Sequence, residues 1–318
     1  MKITENKIKI LVTGGAGFVG SWMAKKLADD DNNYIVVVDN LLTGRTANLP
    51  VTKHNNFKFI KADVNDLSDM SSIFQAFSFD YVFHYAALVG VQRTLQNPSM
   101  VLEDLDGLKN ILNLSKNTGV KQIYYSSSSE VYGEPVEYPQ NEHTTPLNSR
   151  LPYAIVKNVG EAYLRAYKQE YDLDYTIFRF FNTYGPKQST DFVMSKFLEA
   201  ALNNQDIQIY GDGSQTRTFC FIEDNVEACL NAFYKKQILN DVANIGNDKE
   251  ISILELAQTI IRLTSSSSEI VHIAALKEGD MTRRQPDITK MRELLQRPLT
   301  LLEDGINTLM HTKQFSKK

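Results

Sequence analysis

Residues 8–20 read Ile-Lys-Ile-Leu-Val-Thr-Gly-Gly-Ala-Gly-Phe-Val-Gly, an apolar run that passes directly into a glycine-rich turn. Three of its glycines, Gly14, Gly17 and Gly20, recur at three-residue spacing. In a strand–turn–helix unit the first allows a tight turn, the second lets backbone approach a pyrophosphate, and the third lets the helix pack closely. The amphipathic segment 21–28 follows at once, which favours a dinucleotide site over a turn that only joins a strand to a helix.

A second apolar run, residues 34–38, ends in Asp39 and Asn40. It lies about twenty residues beyond the glycine turn, the spacing at which dinucleotide-binding units place an acid for the adenosine ribose. A carboxylate there accepts hydrogen bonds from the ribose hydroxyls and repels a 2′-phosphate. The sequence therefore predicts NAD rather than NADP as cofactor.

The bulk composition excludes several classes of partner. At 318 residues the chain suits one large domain with a smaller lobe. Its net charge of −4 gives no reason to expect nucleic acid or an anionic membrane as partner. No apolar stretch is long enough to span a bilayer, and residues 1–7 lack the apolar segment of a signal peptide. The two cysteines, Cys220 and Cys229, have no metal-ligand spacing, so we expect buried thiols, no metal and a cytoplasmic location.

Strand and helix patterns alternate through the first half of the chain, which predicts βαβ units and a doubly wound parallel sheet of the Rossmann type. The regular alternation of strand and helix patterns ends near residue 185. We therefore expect an NAD-binding domain over 1–185 and a smaller α/β substrate lobe over 186–318, interleaved with the first. The predicted strands are 8–13, 34–38, 57–61, 80–84, 121–127, 175–180 and 207–210; the predicted helices are 17–29, 66–77, 98–117, 153–171, 192–203, 223–235, 252–263 and 287–295.

One helix carries a pair of residues suited to proton transfer. Tyr153 and Lys157 lie one helical turn apart on the same face. A neighbouring ammonium stabilises a phenolate, so such a pair can act as a general base. The segment 124–133 predicts a strand that ends in serine hydroxyls, at the edge of the sheet where ligands bind. Either motif on its own, the tyrosine–lysine pair or the serine-rich strand end, commonly has only a structural role. Because both follow the glycine turn in this order, a catalytic role is favoured.

With these motifs together, the chain resembles the extended short-chain dehydrogenase/reductase family of nucleotide-sugar epimerases, dehydratases and decarboxylases over almost its entire length. Besides the Tyr153–Lys157 pair, the segments that carry the resemblance are TGGAGFVG (13–20), VVVDN (36–40), KADVND (61–66), HYAAL (84–88), SSSSEVYG (126–133), RFFNTYGP (179–186), YGDGSQTRTF (210–219) and RRQPDITK (283–290).

The resemblance implies roles for individual residues. Ser128, Tyr153 and Lys157 are implied as catalytic, with Glu130 as a further candidate. The implied substrate-binding residues are Ser128, Ser129, Asn182, Arg217 and Arg284, the last three facing the nucleotide diphosphate. The implied NAD-binding residues are Gly14, Gly17, Phe18, Val19, Gly20, Asp39, Asn40, Gly44, Asp63, Val64, Ala86, Ala87, Tyr153, Lys157 and Phe180.

The reaction implied is oxidation of a nucleotide sugar at carbon 4 to a 4-keto intermediate, followed by re-reduction, dehydration or decarboxylation. Glu130 resembles the carboxylate of decarboxylases and 4,6-dehydratases, or it caps local backbone amides. The dehydratases place an aspartate where this chain has Ser129, which disfavours dehydration. Two departures count against a hexose 4-epimerase: Val89 replaces a lysine that is common there in those enzymes, and Asp104 replaces an asparagine that is often found on the next helix. We expect a UDP-hexose 4-epimerase, with a UDP-glucuronate decarboxylase as the alternative.

Two further expectations concern partners and class. A non-catalytic NAD-binding regulator is a distant alternative, because such a protein would be expected to have lost the tyrosine, the lysine or the glycine turn. The resemblance implies a homodimer through helices 98–117 and 153–171. The candidate interface residues are Leu102, Leu105, Leu108, Ala162 and Tyr163.

Overall fold

The computed structural model describes residues 7–52, 55–275 and 283–315. Of the segment 1–7, which is expected to lack the apolar part of a signal peptide, residues 1–6 lie outside the described ranges. The helices are α1 (Phe18–Ala28), α2 (Leu67–Phe77), α3 (Val91–Gln96), α4 (Pro98–Thr118), α5 (Pro152–Tyr171), α6 (Val193–Leu202), α7 (Ile222–Tyr234), α8 (Ile253–Thr264), α9 (Thr289–Leu295) and α10 (Leu302–Met310). The strands are β1 (Ile8–Thr13), β2 (Asn33–Asp39), β3 (Phe57–Lys61), β4 (Tyr81–His84), β5 (Gln122–Ser128), β6 (Asp174–Phe180), β7 (Thr183–Tyr184), β8 (Ile207–Tyr210), β9 (Thr216–Thr218), β10 (Cys220–Phe221), β11 (Asp241–Ile245), β12 (Glu250–Ser252) and β13 (Ile270–Ile273).

Seven strands form the main sheet, in the order β11-β6-β5-β4-β1-β2-β3. The strand β1 runs parallel to β2 on one side and to β4 on the other, so the connections reverse direction at β1. In register, Thr13 at the end of β1 lies opposite Val38 and His84. The predicted doubly wound parallel sheet is confirmed, and the ends of three central strands meet at one edge, where open α/β sheets bind ligands.

Both faces of the sheet are covered, which explains why its strands are continuous apolar runs. On one face, side chains of α2, α4 and α5 pack on alternate strand residues such as Leu11, Val36 and Ile123. On the other face, Phe83 and Tyr124 stack with ring centroids 4.5 Å apart, and both make edge contacts with Phe233 of α7. This two-sided burial fixes the sheet that positions the site.

The chain separates into two compact units, each built from three segments. The first comprises the residues up to Val131, Pro152–Arg179 and Cys229–Ala243; the second comprises Tyr132–Leu151, Phe180–Ala228 and the residues from Asn244 onward. A single boundary at residue 185 does not describe these units, because the chain passes between them several times. The assignment of one unit to the cofactor and the other to the sugar stays a prediction.

The second unit contains three two-stranded sheets, β7 with β10, β8 with β13 and β9 with β12. In the part of the chain that the structure describes, no helix is both long enough and apolar enough to cross a membrane.

Cys220 and Cys229 are buried and form no disulfide, as expected.

Candidate active site

In the glycine turn after β1, neighbouring backbone segments lie so close that a side chain would not fit. Gly14 has a φ of +67°, and a Cβ on it would lie 2.6 Å from the backbone nitrogen of Ala86. A Cβ on Gly20 would lie 2.3 Å from the carbonyl oxygen of Gly14, so only glycine lets α1 sit this close to the turn. Gly17 is the N-cap of α1 and has no side chain to occupy the first helical amides. A bare helix N-terminus behind a glycine turn suits a phosphate group.

Asp39 ends β2 beside this turn and is 8% exposed. Its carboxylate accepts the N–H of Ala16 at 2.9 Å and that of Leu41 at 2.8 Å. Next to it, Asn40 donates to Asp63 at 3.0 Å, which joins two predicted cofactor residues from the ends of β2 and β3. The acid is therefore held in place by backbone amides at the edge where the ribose of a dinucleotide would lie.

The other predicted cofactor residues of the first unit lie around the same edge. Phe18 and Val19 open α1, and a Cβ on Gly44 would lie 2.6 Å from the Asp39 carboxylate. The N–H of Ala86, next to Ala87, reaches the Thr13 hydroxyl at 3.3 Å. The carbonyl of Val64 accepts a hydrogen bond from Asn110. This set fits NAD: a helix terminus for the pyrophosphate, a fixed acid for the ribose, and strand ends that lie opposite one another.

Ser128 is the last residue of β5 and leads into a 3-10 turn over Ser129–Tyr132. Its Oγ accepts the N–H of Glu130 at 3.2 Å, which fixes the side chain while leaving its own proton available to donate. Ser128 and Ser129 are both buried, whereas Glu130 is half-buried. The predicted serine and the predicted carboxylate therefore lie two residues apart, where a central strand ends and a short turn begins.

Tyr153 and Lys157 lie in the first turns of α5, as the spacing predicted. The Lys157 ammonium donates to the carbonyl of Ser126 at 2.7 Å and lies 5.8 Å from the centre of the Tyr153 ring. Lys157 is 3% exposed. Burial lowers the pKa of Lys157 to about 8, against an opposing effect from the charge of Asp104. The lysine thus links the tyrosine to the end of β5, beside Ser128.

His84 is the last residue of β4, at the same edge of the sheet. Its Nδ1 lies 2.8 Å from the Thr13 hydroxyl, and its ring stacks on Tyr125. Burial, assisted by the charge of Lys157, lowers the pKa of His84 to about 3. The imidazole is therefore neutral at physiological pH, and it adds no second positive charge beside Lys157.

A buried ion pair that was not predicted from the sequence lies on α5 and β6, next to the strand that ends at Ser128. Glu161, one turn after Lys157 on α5, accepts two hydrogen bonds from Arg179 of β6, at 2.8 and 2.7 Å. It also accepts the Ser127 hydroxyl at 2.7 Å and an Arg165 contact at 2.9 Å. Burial acts to raise the pKa of Glu161, but the Arg179 hydrogen bonds and charge outweigh it and lower the pKa. The sequence signal that could have indicated this ion pair is Glu161 itself, a charged residue on the buried face of α5.

The predicted diphosphate residues and Phe180 belong to the second unit. The Asn182 Nδ2 atom is buried and makes no hydrogen bond in the described part of the chain. Arg217, on β9, donates to the Thr216 carbonyl at 2.7 Å and is 8% exposed, and Arg284 is also buried. By contrast, Arg283 forms a two-point ion pair with Glu250.

A family model described as "NAD dependent epimerase/dehydratase family" matches residues 10–246. The chain belongs to this family. It is therefore a nucleotide-sugar enzyme of the epimerase, dehydratase and decarboxylase type, and its cofactor is NAD.

Relatives with different activities are equally similar. UDP-N-acetyl-alpha-D-glucosaminuronate decarboxylase of Bacillus cytotoxicus is 35% identical, over 94% of this chain and 96% of its own. A putative UDP-glucose 4-epimerase of Methanocaldococcus jannaschii is also 35% identical, over 95% and 97%. The crystal structure of UDP-glucose 4-epimerase from Thermotoga maritima with UDP-glucose superposes with a TM-score of 0.90 at 32% identity, covering 97% of this chain and 98% of that one. Overall similarity therefore establishes the family but does not distinguish an epimerase from a decarboxylase. That distinction depends on the residues of the site.

Proposed function

We propose that the protein is a UDP-hexose 4-epimerase. The observation that carries the proposal is the placement of the Tyr153–Lys157 pair on α5, with Lys157 hydrogen-bonded to the end of β5 beside Ser128. These three side chains supply the proton transfers that epimerisation at carbon 4 requires. The similarity to the Thermotoga maritima enzyme, a UDP-glucose 4-epimerase, supports the choice of sugar.

In this proposal Tyr153 takes the proton of the carbon-4 hydroxyl, and the Lys157 ammonium stabilises the phenolate that does so. The Ser128 hydroxyl donates to the same sugar oxygen and holds it in line with Tyr153. When bound, NAD would accept the hydride from carbon 4 and return it to the same carbon of the 4-keto sugar. Tyr153 then returns the proton after the 4-keto sugar has presented its opposite face, and the product has inverted configuration at carbon 4.

We also propose that Asn182, Arg217 and Arg284 bind the diphosphate of the substrate, with Ser129 near the sugar. A guanidinium offers two parallel donors that match phosphate oxygens, which a lysine cannot do. The buried Asn182 Nδ2 atom supports this role, since a ligand oxygen would satisfy it.

A second candidate function, decarboxylation of a UDP-uronic acid such as UDP-glucuronate, is favoured by Glu130. A carboxylate in the turn directly after Ser128 has no necessary part in epimerisation, and it could exchange a proton with carbon 5 of a 4-keto sugar. The Bacillus cytotoxicus relative is itself a decarboxylase. Dehydration is disfavoured, because the Ser129 hydroxyl is too weak an acid to protonate a leaving hydroxyl group.

The products distinguish these functions. The protein is incubated with UDP-glucose, UDP-N-acetylglucosamine and UDP-glucuronate, and each product is analysed by mass and chromatographic retention. We expect an unchanged mass with altered retention for a UDP-hexose. Loss of carbon dioxide from UDP-glucuronate would replace the proposal by the second candidate, and loss of water would indicate dehydration. Binding of NAD with no conversion of any sugar would indicate a regulator.

Glu130→Gln separates the two leading reactions by a second route. For a 4-epimerase we expect at most about a ten-fold loss of rate, because the isosteric amide affects only positioning. For a decarboxylase, sugar oxidation should proceed and then stall, so that the near-ultraviolet absorbance of reduced nicotinamide accumulates. Glu134→Gln, at an exposed position nearby, is the matched control. Accumulated absorbance in Glu130→Gln alone would contradict the epimerase proposal.

We further propose a homodimer through α4 and α5. Leu102 on α4 and Ile155 on α5 are exposed apolar side chains, and Ala162 is exposed as well. Leu108 was a wrong candidate, since it is buried in the core of its own sheet, and Leu105 and Tyr163 also pack inward in part. Light scattering at micromolar concentration should give twice the monomer mass; Leu102→Glu should halve it, and a monomeric parent protein would reject the proposal.

A further inference from the structure

The three residues proposed to bind the diphosphate come from three separate segments of the second unit. Asn182 lies between β6 and β7, Arg217 lies on β9, and Arg284 lies between β13 and α9. Two linked phosphate groups present their oxygens at a fixed spacing. Donors on separate segments can therefore bind both groups together only if the segments are held at a matching distance.

Residues 244–247, with the sequence Asn-Ile-Gly-Asn, contact all three of these segments. They begin in β11, end before β12 and are buried. The carbonyl of Ile245 accepts the backbone N–H of Phe181 at 2.9 Å. The residue that precedes Asn182 is therefore fixed against this stretch, which we call the 244–247 segment.

Asn247 connects the 244–247 segment to the strand of Arg217. Its Nδ2 atom donates to the carbonyl of Phe219 at 3.1 Å, two residues after Arg217. Its Oδ1 atom accepts the backbone N–H of Lys249 at 3.0 Å, so the side-chain amide is fixed at both of its ends. The chain that leaves β9 is thereby tied to the 244–247 segment close to the arginine.

Asn244 connects the same segment to the stretch that carries Arg284. Its Nδ2 atom donates to the carbonyl of Gln140 at 2.9 Å and to that of Asp287 at 3.2 Å. The backbone of Gln140 in turn pairs with Gln285 and with Asp287, each at 2.8 Å. Because Arg284 directly precedes Gln285, its backbone is anchored one residue away.

The Asn244 side chain is held in one orientation. It is fully buried, and its Oδ1 atom accepts the Tyr132 hydroxyl at 2.7 Å. The backbone N–H of Asn244 donates to the Glu142 carboxylate at 2.9 Å. Since the amide oxygen and the amide nitrogen are both bonded, another rotamer would leave buried polar atoms without partners. Asn244 therefore fixes the groups that it contacts.

Gly246 determines how closely two of the segments approach each other. A Cβ on this residue would lie 2.9 Å from the Cβ of Phe181 and 3.1 Å from the Cγ of Pro286. Phe181 is next to Asn182 in the chain, and Pro286 comes two residues after Arg284. A side chain at position 246 would push these two segments apart, because a closely packed interior has no free volume to absorb it.

Asn182 provides an independent indication of a ligand at this place. Its carbonyl accepts the backbone N–H of Cys220 at 3.1 Å, so its backbone is tied to β10. Its buried Nδ2 atom makes no hydrogen bond within residues 7–52, 55–275 and 283–315. A ligand oxygen would satisfy this buried donor.

We propose that the 244–247 segment positions the diphosphate-binding residues: it holds the three segments that carry them at the spacing that two linked phosphates require. The inference rests on the proposed function for the assignment of Asn182, Arg217 and Arg284 to the diphosphate. It applies equally to an epimerase and to a decarboxylase, because the substrates of both are UDP-sugars. Disturbing the 244–247 segment should therefore weaken the binding of a diphosphate more than that of a monophosphate.

Gly246→Ala is the first test, with UDP and UMP titrated calorimetrically into the NAD-loaded protein. The added methyl group must displace Phe181 or Pro286, so we expect the Kd for UDP to rise by about ten-fold. The Kd for UMP should rise by about three-fold or less, because a single phosphate does not require a fixed distance between donors. Ile260→Val, which shortens a fully buried side chain of α8 in the same unit, is the control. It should lower Tm and leave both nucleotide affinities unchanged.

Asn247→Ala tests the same inference without adding volume, and it decides the matter if Gly246→Ala does not fold. Loss of the contact to Phe219 should raise the Kd for UDP several-fold. The KM for the converted UDP-sugar should rise by the same factor, with kcat within about three-fold of the parent, as expected when only binding is affected. Asn204→Ala is the matched control, because it removes a contact of the same kind, to the N–H of Ser267, in an exposed loop of the same unit.

The possible outcomes separate the inference from the proposed function. If the folded variants bind UDP as tightly as the parent, or if they lose UDP and UMP affinity equally, the inference is overturned and the proposed function stands. If the parent binds UDP no better than UMP, or if Arg217→Gln leaves UDP affinity unchanged, the assignment of the diphosphate residues is overturned, and the inference with it.

Discussion

Replacing Tyr153 by phenylalanine is expected to lower the rate of sugar oxidation by about two to four orders of magnitude. Only the phenolic oxygen is lost, and that oxygen takes the proton of the carbon-4 hydroxyl in the proposed chemistry. The ring that packs against Leu88, Val101 and Val156 remains, so the fold should be retained. Affinity for NAD should change little, because the residues that fit its pyrophosphate and adenosine are untouched.

Single-turnover absorbance, NAD titration and thermal unfolding of the same preparation provide the test. Tyr171→Phe is the control, because Tyr171 lies on the same helix, is half exposed, and contacts Lys116 rather than Lys157. A Tyr153→Phe rate within a few-fold of the parent would reject the tyrosine as the general base.

Replacing Arg179 by methionine is expected to destabilise the protein by about 3–5 kcal/mol. Arg179 is 1% exposed and Glu161 is fully buried, so the substitution leaves a buried carboxylate without its main partner. Because the pKa of Glu161 is lowered in the folded state, its contribution to stability is present at neutral pH. That contribution is lost only as the pH falls through the folded pKa, below the ordinary value of 4.5.

Urea denaturation at neutral pH measures this loss. Arg165→Met is the matched control: Arg165 also contacts Glu161, but its side chain is 45% exposed, so we expect a cost of about 1 kcal/mol or less. The double variant Glu161→Gln/Arg179→Met should recover part of the loss, since no buried charge remains. Equal costs for Arg179→Met and Arg165→Met would show that the buried pair is not the stabilising contact.

Six of the seven strands of the main sheet and most of the helices that connect them were predictable because each carries a local pattern, whereas β11 was not predicted. The apolar runs of β1 and β2 and the periodic faces of α4 and α5 are visible in the sequence, and the predicted bounds agree with the structure to within about two residues. The helix α3, with six residues, was missed because so short a segment shows no periodicity. Leu108 was misplaced because an apolar helix residue does not reveal which surface it contacts.

By itself, the sequence determined the glycine turn, the acid at the end of β2, the tyrosine–lysine spacing and hence the family chemistry. These features are set by neighbours a few residues apart, where backbone geometry alone fixes the distance. Only the tertiary structure decided the pairing of Thr13 with His84, 71 residues apart, of Asp104 with Leu88, and of Glu161 with Arg179. Such contacts depend on which strands are adjacent and on how each helix is rotated against the sheet. Those arrangements are settled by the packing of the whole core, and no single segment encodes them.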